Sequence, residues 1–440
     1  MKQKIRIGCG AGFSGDRLDP ARILVEQGDI DYLVLECLAE RTIALAQKRK
    51  QKDPSSGFDP LLERRVNLLL EPLLQKGVTL ITNMGAANPV AAAERIASLA
   101  RTRGLLVKVV AVLGDDVLSE LSGDENSIET GTALKASGPL VSANAYMGVD
   151  GILEALQYRP NIIITGRVAD PSLFLAPMIY EFSWQRDNYK LLGQGTIVGH
   201  LLECAGQITG GYFADPILKP VSGMANLGHP YADVFHDGTA LISKVAGTGG
   251  VVSLAAAKEQ LLYEVVNPNA YYTPDVIADF TTVHLEQIEL DTIRVIGGTG
   301  RRKPETLKVS VGYQAMYMGE GEITYAGVNA VQRARLAGEI VSERLKDLFP
   351  ALRVDLIGHS SVHGDDFAVD HQPYEVRLRV AGKSQRADQA ALIGEEVEAL
   401  YTNGPAGGGG VRKYVHEVVG IVSSTIDRRV VKHQTKVFTS

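Results

Sequence analysis

The sequence predicts an α/β protein: an N-terminal, mostly parallel sheet with helices on both faces, followed by an α+β region. Two observations carry that reading. Up to about residue 180, short continuous apolar runs alternate with helical stretches, as buried parallel strands joined by crossover helices do. Each of those runs also ends in a polar or glycine-rich loop. In open α/β sheets the ligand site lies outside the carboxyl ends of the strands, so these loops are expected to share one rim.

The elements follow in order. Ile5–Gly8 is a short apolar run ending in glycines, and Asp19-Pro20 after it reads as an N-cap with proline at the first helical position. Tyr32–Leu38 is the second strand and a helical stretch follows. Val78–Thr82 is the third strand, with Pro89–Leu99 as its helix, and Leu105–Leu113 is the fourth. Asn161–Thr165 is the fifth, followed by a helix from Pro171 towards Tyr180. The strands end in GCGAGFSGD, ECLAE, TNMGAANP, GDD and TGRVAD.

Beyond about residue 215 the texture changes to short β-rich runs between turn signals. A helix over 327–346, strands at VDLIG and YEVRLRVAG, a helix over 384–401 and a strand near Val418–Val422 complete the chain. This organisation predicts a Rossmann-like α/β domain over 1–215 and an α+β domain over 216–440 with a glycine-rich loop at 403–410.

Composition excludes several function classes. The chain has 440 residues, 45% hydrophobic and 22% charged, with a formal net charge of −6. That balance offers no electrostatic footprint for nucleic acid. Its densest basic stretch, Lys48 to Lys52, is interrupted by Gln51 and fits a solvated helix face. Cys9, Cys37 and Cys204 are too few for a disulfide framework and lack the spacing of a zinc site. With no signal-peptide pattern and no long apolar span, a cytoplasmic protein without membrane contact is expected.

The candidate site residues lie at the strand ends. Gly10 to Gly15 matches GxGxxG after a strand, but a dinucleotide fingerprint needs the helix to open within the motif, whereas here it starts near Asp19. An active-site loop carrying Asp16 and Arg17 is therefore preferred to NAD binding, with Gly12 and Ser14 as substrate-contacting positions. Asp16, Glu36, Asp115, Asp116 and Asp170 could act as general acids and bases or hold a divalent metal. They could equally be turn or cap residues. Asn83 and Asn144 could hold a carboxylate or thioester oxygen, or form turns. Arg167 in TGRVAD is suited to bidentate anion recognition, with an ion pair to Asp170 as the plainer role.

His200 shares a helix face with Glu203 at i, i+3 and with Cys204 at i, i+4. HLLEC is not a zinc motif, but it offers a base, an acid and a thiol. His359 and His363 beside Asp365 and Asp366 lie in a loop-like stretch flanked by Gly358 and Gly364, a weak metal pattern. Gly408 and Gly409, in the glycine loop before Arg412, could present backbone N–H groups to an anion, or form a plain turn.

Eight blocks in order resemble the acyclic terpene utilisation (AtuA-like) family: IGCGAGFSGD (7–16), DYLVLECLAE (31–40), ITNMGAANP (81–89), SANAYMG (142–148), ITGRVADPSLFLAP (164–177), GHLLECAGQITGGYFAD (199–215), KVAGTGGVVS (244–253) and LLYEVVNPNAYYTPDVIADF (261–280). The resemblance implies a role in bacterial breakdown of acyclic terpenes such as citronellol and geraniol. Longer members carry an extra C-terminal domain, so a separate small partner subunit is expected here.

The expected function is a lyase-like enzyme that adds or removes water. Its substrate would be a small branched or unsaturated carboxylate or its acyl-CoA thioester. Arg167 and Asn144 would hold the anionic end, and Asp16, Glu36 or the His200/Glu203 pair would move the proton, with Cys204 nearby. Two alternatives stay open: an NAD(P)-dependent oxidoreductase using the first glycine loop, and a non-catalytic metabolite-binding subunit of a two-component enzyme. Homo-oligomerisation is expected.

Overall fold

A computed structural model describes residues 2–368 and 372–440. In chain order the elements are β1 (Lys4–Ala11), α1 (Asp19–Gln27), β2 (Tyr32–Leu35), α2 (Glu40–Lys52), α3 (Leu62–Lys76), β3 (Thr79–Thr82), α4 (Pro89–Thr102) and β4 (Lys108–Leu113). Next come β5 (Leu140–Ala145), α5 (Asp150–Gln157), β6 (Ile162–Thr165), α6 (Asp170–Phe182), α7 (Tyr189–Glu203), β7 (Pro230–Phe235), β8 (Ala240–Lys244) and α8 (Leu254–Leu262). Short strands follow: β9 (Tyr271–Tyr272), β10 (Ile277–Asp279), β11 (His284–Glu289), β12 (Thr292–Ile296) and β13 (Thr299–Arg301). The rest is β14 (Thr306–Ala326), α9 (Ala330–Leu345), β15 (Arg353–Ile357), β16 (Glu375–Ser384), α10 (Ala387–Asn403), β17 (Gly409–Asp427) and β18 (Gln434–Thr439).

These elements form two compact units. The first comprises Met1–Ala136, Leu140–Gly312 and Ile421–Ser440; the second comprises Ser137–Pro139 and Tyr313–Gly420. The texture change near residue 215 does not separate them, because strands beyond it pair into the N-terminal sheet. That ten-stranded sheet runs β11-β12-β8-β7-β1-β2-β3-β6-β4-β18. At its centre are the five strands expected from the apolar runs, and they pair parallel. Antiparallel strands extend both edges, with β7 on β1 and β18 on β4.

The pleat explains the burial. Ile163 faces a core with residues of α5, α6 and α7, while Ile162 and Ile164 face a second core with α1, α3 and α4. Strands buried on both faces must be apolar at every position, as IIIT in β6 is. Two local details differ from expectation. Asp19 is the first residue of α1, not its cap, and Leu18 holds the cap position. β2 stops at Leu35, because Cys37 donates its N–H to Asn83 Oδ1 and Leu38 donates to Glu36 Oε1 instead of continuing the ladder. Glu36 is thereby released into a loop at the sheet's carboxyl end.

The second unit is α+β: β14, β15, β16 and β17 in the order β15-β16-β14-β17, with α9 and α10. Its core joins Ile323, Tyr325, Ala334, Val341, Leu378 and Val397, among others. The glycine loop after α10 leads into β17, and a side chain at Gly408 would meet Ile323 and Tyr325. No helix among the described residues is long and apolar enough to cross a membrane.

Candidate functional site

A cavity of about 1130 Å³ opens in the first unit. The loops after β1, β2 and β6 line it, together with the end of α7 and segments around residues 224–229, 263–274 and 304–308. The TNMGAANP loop after β3 and the GDD turn after β4 contribute no lining residue, although Ile128, further along the connection from β4 to β5, does. The common rim expected from the sequence is thus built by three of its five loops and completed from later in the chain.

Carboxyls outnumber cations at its centre. Glu36, Asp170 and Glu203 line the wall with the Arg167 guanidinium, whose charge acts on all three, while Arg17 and Lys308 are the other cations of the lining. Arg167 is 1% exposed and its donors are engaged: it bonds the Leu38 and Val168 carbonyls and the Asp170 carboxylate, and it stacks 4.5 Å from the Tyr146 ring centroid. Burial pushes the Glu36 carboxyl well above its usual range, and the charge of Asp170 pushes it further; Arg167 and hydrogen bonds from Leu38 N–H and Asn83 oppose the shift only in part. Burial likewise raises Asp170 against the pull of Arg167. The Arg167 guanidinium offsets this crowding of carboxyls only in part, so their neutral forms are favoured.

At the end of α7, Glu203 lines the cavity and His200 stands behind it. Glu203 Oε1 lies 2.8 Å from His200 Nδ1, while Glu203 Oε2 and His200 Nε2 are buried without a protein partner. Burial raises the Glu203 carboxyl well above its usual range, and Asp170 and Glu264 add to this. Burial lowers His200 to about 4, in a niche whose walls include the Tyr271 and Phe280 rings, each with its centroid 5.4 Å away. Burial thus favours the neutral form of both partners, a carboxylic acid beside an imidazole. Cys204 also lines the cavity, but burial pushes its thiol up, so it is not poised as a thiolate.

Gly12 makes this arrangement compact. A Cβ there would lie 2.6 Å from the carbonyl carbon of Cys204, so only glycine lets the β1 loop close against the end of α7. Gly166 performs a similar task, since a Cβ would fall 2.5 Å from Asp115 Oδ1. Asp115 accepts the Arg167 N–H and the Asn144 amide, both at 2.9 Å, and so fixes the loop after β6 from behind.

The remaining sequence candidates fall into distinct places. Asp16 lines the cavity, yet its carboxylate is bound to the N–H groups of Gly12 and Arg17 and organises its own loop. Ser14 lines it too and donates to Asp59 at 2.5 Å. Asn83 is buried one layer back, bridging Glu36 and the Cys37 N–H. Asn144 is also one layer back, between Asp115 and Gln47. Gly408 and Gly409 belong to the second unit and do not line the cavity. Among the described residues no group of three or more His, Cys, Asp or Glu is arranged to hold a metal ion.

Several cavity residues were not singled out from the sequence. Tyr146 donates to Glu40 at 2.5 Å, and Lys308 donates to the same oxygen at 3.1 Å. Burial alone would raise Glu40, but these bonds and its own backbone N–H bring it to about 2. His229 is buried with Nδ1 unpartnered and Nε2 3.9 Å from Asp16, and burial lowers its proton affinity. Tyr212, Tyr263, Tyr271 and Tyr272 supply an aromatic wall. Tyr146, Glu40 and Tyr271 sit inside the family-like blocks, which was the one signal available.

The fold defines a mixed α/β protein whose ligand cavity lies at the carboxyl end of a parallel sheet core. The description "Acyclic terpene utilisation family protein AtuA" matches residues 5–437, nearly the whole chain. The chain belongs to that family, and the membership points to a role in acyclic terpene utilisation. No curated protein and no solved structure matches it significantly.

Proposed function

We propose that the protein is a hydro-lyase that adds water to, or removes it from, a branched or unsaturated acyl substrate bound in this cavity. The observation that carries the reading is Glu203: a cavity-lining carboxyl whose neutral form burial favours, with Oε1 against His200 and Oε2 buried without a partner. A carboxylic acid kept protonated at neutral pH can deliver a proton to an unsaturated carbon, and its conjugate base can then take one from water. His200 adjoins Oε1 and offers a route for the proton. Glu36 and Asp170 form the second acidic element, with Arg167 tempering their charge.

The aromatic wall supports the substrate class. Tyr146, Tyr263, Tyr271 and Tyr272 with Leu38 and Leu307 offer a branched hydrocarbon chain an apolar surface. The donors of Arg167 are occupied within the protein, so the substrate's anionic end falls instead to Arg17 or Lys308, which also line the cavity.

The reading is tested by following the enoyl absorbance of α,β-unsaturated branched acids and their thioesters on mixing with the purified protein. Loss of absorbance that disappears with Glu203→Gln supports it. Inertness toward both substrate series in both directions of reaction, or turnover indifferent to Glu203→Gln, would overturn it.

A further inference from the structure

We infer that the cavity mouth binds the phosphate-bearing tail of a coenzyme A thioester through Lys303 and Arg428. The inference rests on the acyl-substrate reading above and chooses the thioester over the free acid.

Two basic segments meet there, Arg301-Arg302-Lys303 and Arg428-Arg429. The Arg428 N–H donates to the Glu305 carbonyl at 3.1 Å, and its guanidinium donates to the carbonyls of Pro304 at 2.6 Å and Pro274 at 2.8 Å. Both prolines line the cavity, as do Thr306 and Thr425, which are exposed and mark the mouth. The basic patch and the opening are thus built from the same short stretches, 303–306 and 425–428.

Acids only partly match the cations that adjoin the mouth. Arg302 pairs with Glu305, Arg429 with Asp427, and Arg186 with Asp150 and Asp275. The Lys303 side chain makes no hydrogen bond or ion pair among the described residues, and the Arg428 guanidinium bonds only to carbonyls. Burial lowers the proton affinity of Lys303, as do Arg428 and Arg186, with Asp150 and Asp275 opposing. Three cations beside two acids leave an excess that suits an anion, and phosphate is the group that arginine and lysine recognise together.

Size agrees. At about 1130 Å³ the cavity exceeds the roughly 300–1,000 Å³ of sites that enclose drug-sized ligands. A small branched acid would leave most of it empty, whereas an acyl chain on its pantetheine arm would occupy it and leave the phosphates at the mouth.

Calorimetric titration of the full chain with coenzyme A, pantetheine, NAD and inorganic phosphate tests the assignment. Coenzyme A is expected to bind at least about tenfold more tightly than pantetheine, and the margin should shrink with added salt. Lys303→Glu and Lys303→Ala, at an unpartnered side chain, should each erode that margin while circular dichroism shows an intact fold. Equal binding of coenzyme A and pantetheine would overturn the inference, as would a margin that ignores both substitutions. NAD binding as tightly as coenzyme A would make this a dinucleotide site, and full displacement by inorganic phosphate would make it a free-anion site; either result overturns the tail assignment. Coenzyme A bound through Lys303 without enoyl turnover would sink the hydro-lyase reading alone. Equal turnover of pantetheine and coenzyme A thioesters would sink the tail site alone.

Discussion

Glu203 and His200 meet at 2.8 Å on the last turn of α7, and each carries a second polar atom, Oε2 and Nε2, that is buried without a protein partner. Removal of the titratable proton while keeping the shape isolates its role. Glu203→Gln is predicted to lower turnover by about 10²–10⁴, the usual range for a positioned acid or base, with the melting temperature little changed. The pH profile should agree. Activity needs the protonated carboxyl, so it should fall on the alkaline side as Glu203 ionises above the ordinary carboxylate range. No limb should appear near 6.5, the ordinary imidazole value, because burial holds His200 down at about 4. A profile with its only limb near 6.5 would assign the proton to a different group.

Asp115 supplies a test of stability that is independent of the reaction. Burial raises its carboxyl from 3.8 to about 6, against the hydrogen bonds it accepts from Arg167 N–H and Asn144. The folded state therefore binds this proton more tightly than the unfolded chain does. Its contribution is destabilising above pH 6 and fades as the pH falls from 6 towards 3.8. Both bonds are accepted by Oδ2, so an asparagine placing its oxygen there preserves them. Asp115→Asn should raise the free energy of unfolding at pH 8 by at most on the order of 3 kcal/mol, with the advantage vanishing near pH 4. An advantage that grows on acidification would contradict the assignment.

The parallel strands could be read from the sequence because each is a continuous apolar run, and Glu36, Arg167 and Asp170 because each polar residue follows such a run directly. Strands β5 and β18 were not read, since LVSANA and QTKVFT mix polar residues into short stretches and have no local signature. The return of β18 to β4 pairs Thr439 with Lys108, a non-local choice that periodicity does not encode. Depth was equally hidden. Asn83 and Asn144 sit at strand ends just as Glu36 does, yet hydrogen bonds hold them one layer behind the wall. Lys308 joins Glu40 across 268 residues of sequence, and only the folded chain brings them together.

Gly12→Ala probes the closure of the β1 loop on α7. The new methyl would lie 2.6 Å from the Cys204 carbonyl carbon and 2.8 Å from its Cα, both backbone atoms with no rotamer escape. Overpacking of this kind costs about 1–3 kcal/mol, and relief requires the loop and the helix end to part. The displaced group would include Glu203, next in chain to Cys204. A lowered melting temperature is predicted together with a fall in kcat greater than any rise in KM. Unchanged melting and kinetics would mean that the loop does not hold the helix end in place.

Arg167 and Asp170 form the last test, because their pairing decides what the guanidinium is for. Arg167 is 1% exposed, bonded to two carbonyls and to Asp170, and faces Glu36 and Glu203 as well. If its task is to temper this acid cluster, charge matters more than the fork of donors. Arg167→Lys would keep the charge but lose carbonyl bonds, giving a folded protein destabilised by about 1–3 kcal/mol with measurable turnover. Arg167→Met would leave the partly exposed Asp170 carboxylate without its partner, at a cost of about 1–3 kcal/mol. Asp170→Asn in the Arg167→Met background should recover much of that loss, since it removes the uncompensated carboxylate. Coupling between the two sites of at least about 1 kcal/mol in the double-mutant cycle is therefore expected. Additive losses would mean that Arg167 serves the cavity through a bound substrate anion rather than through Asp170.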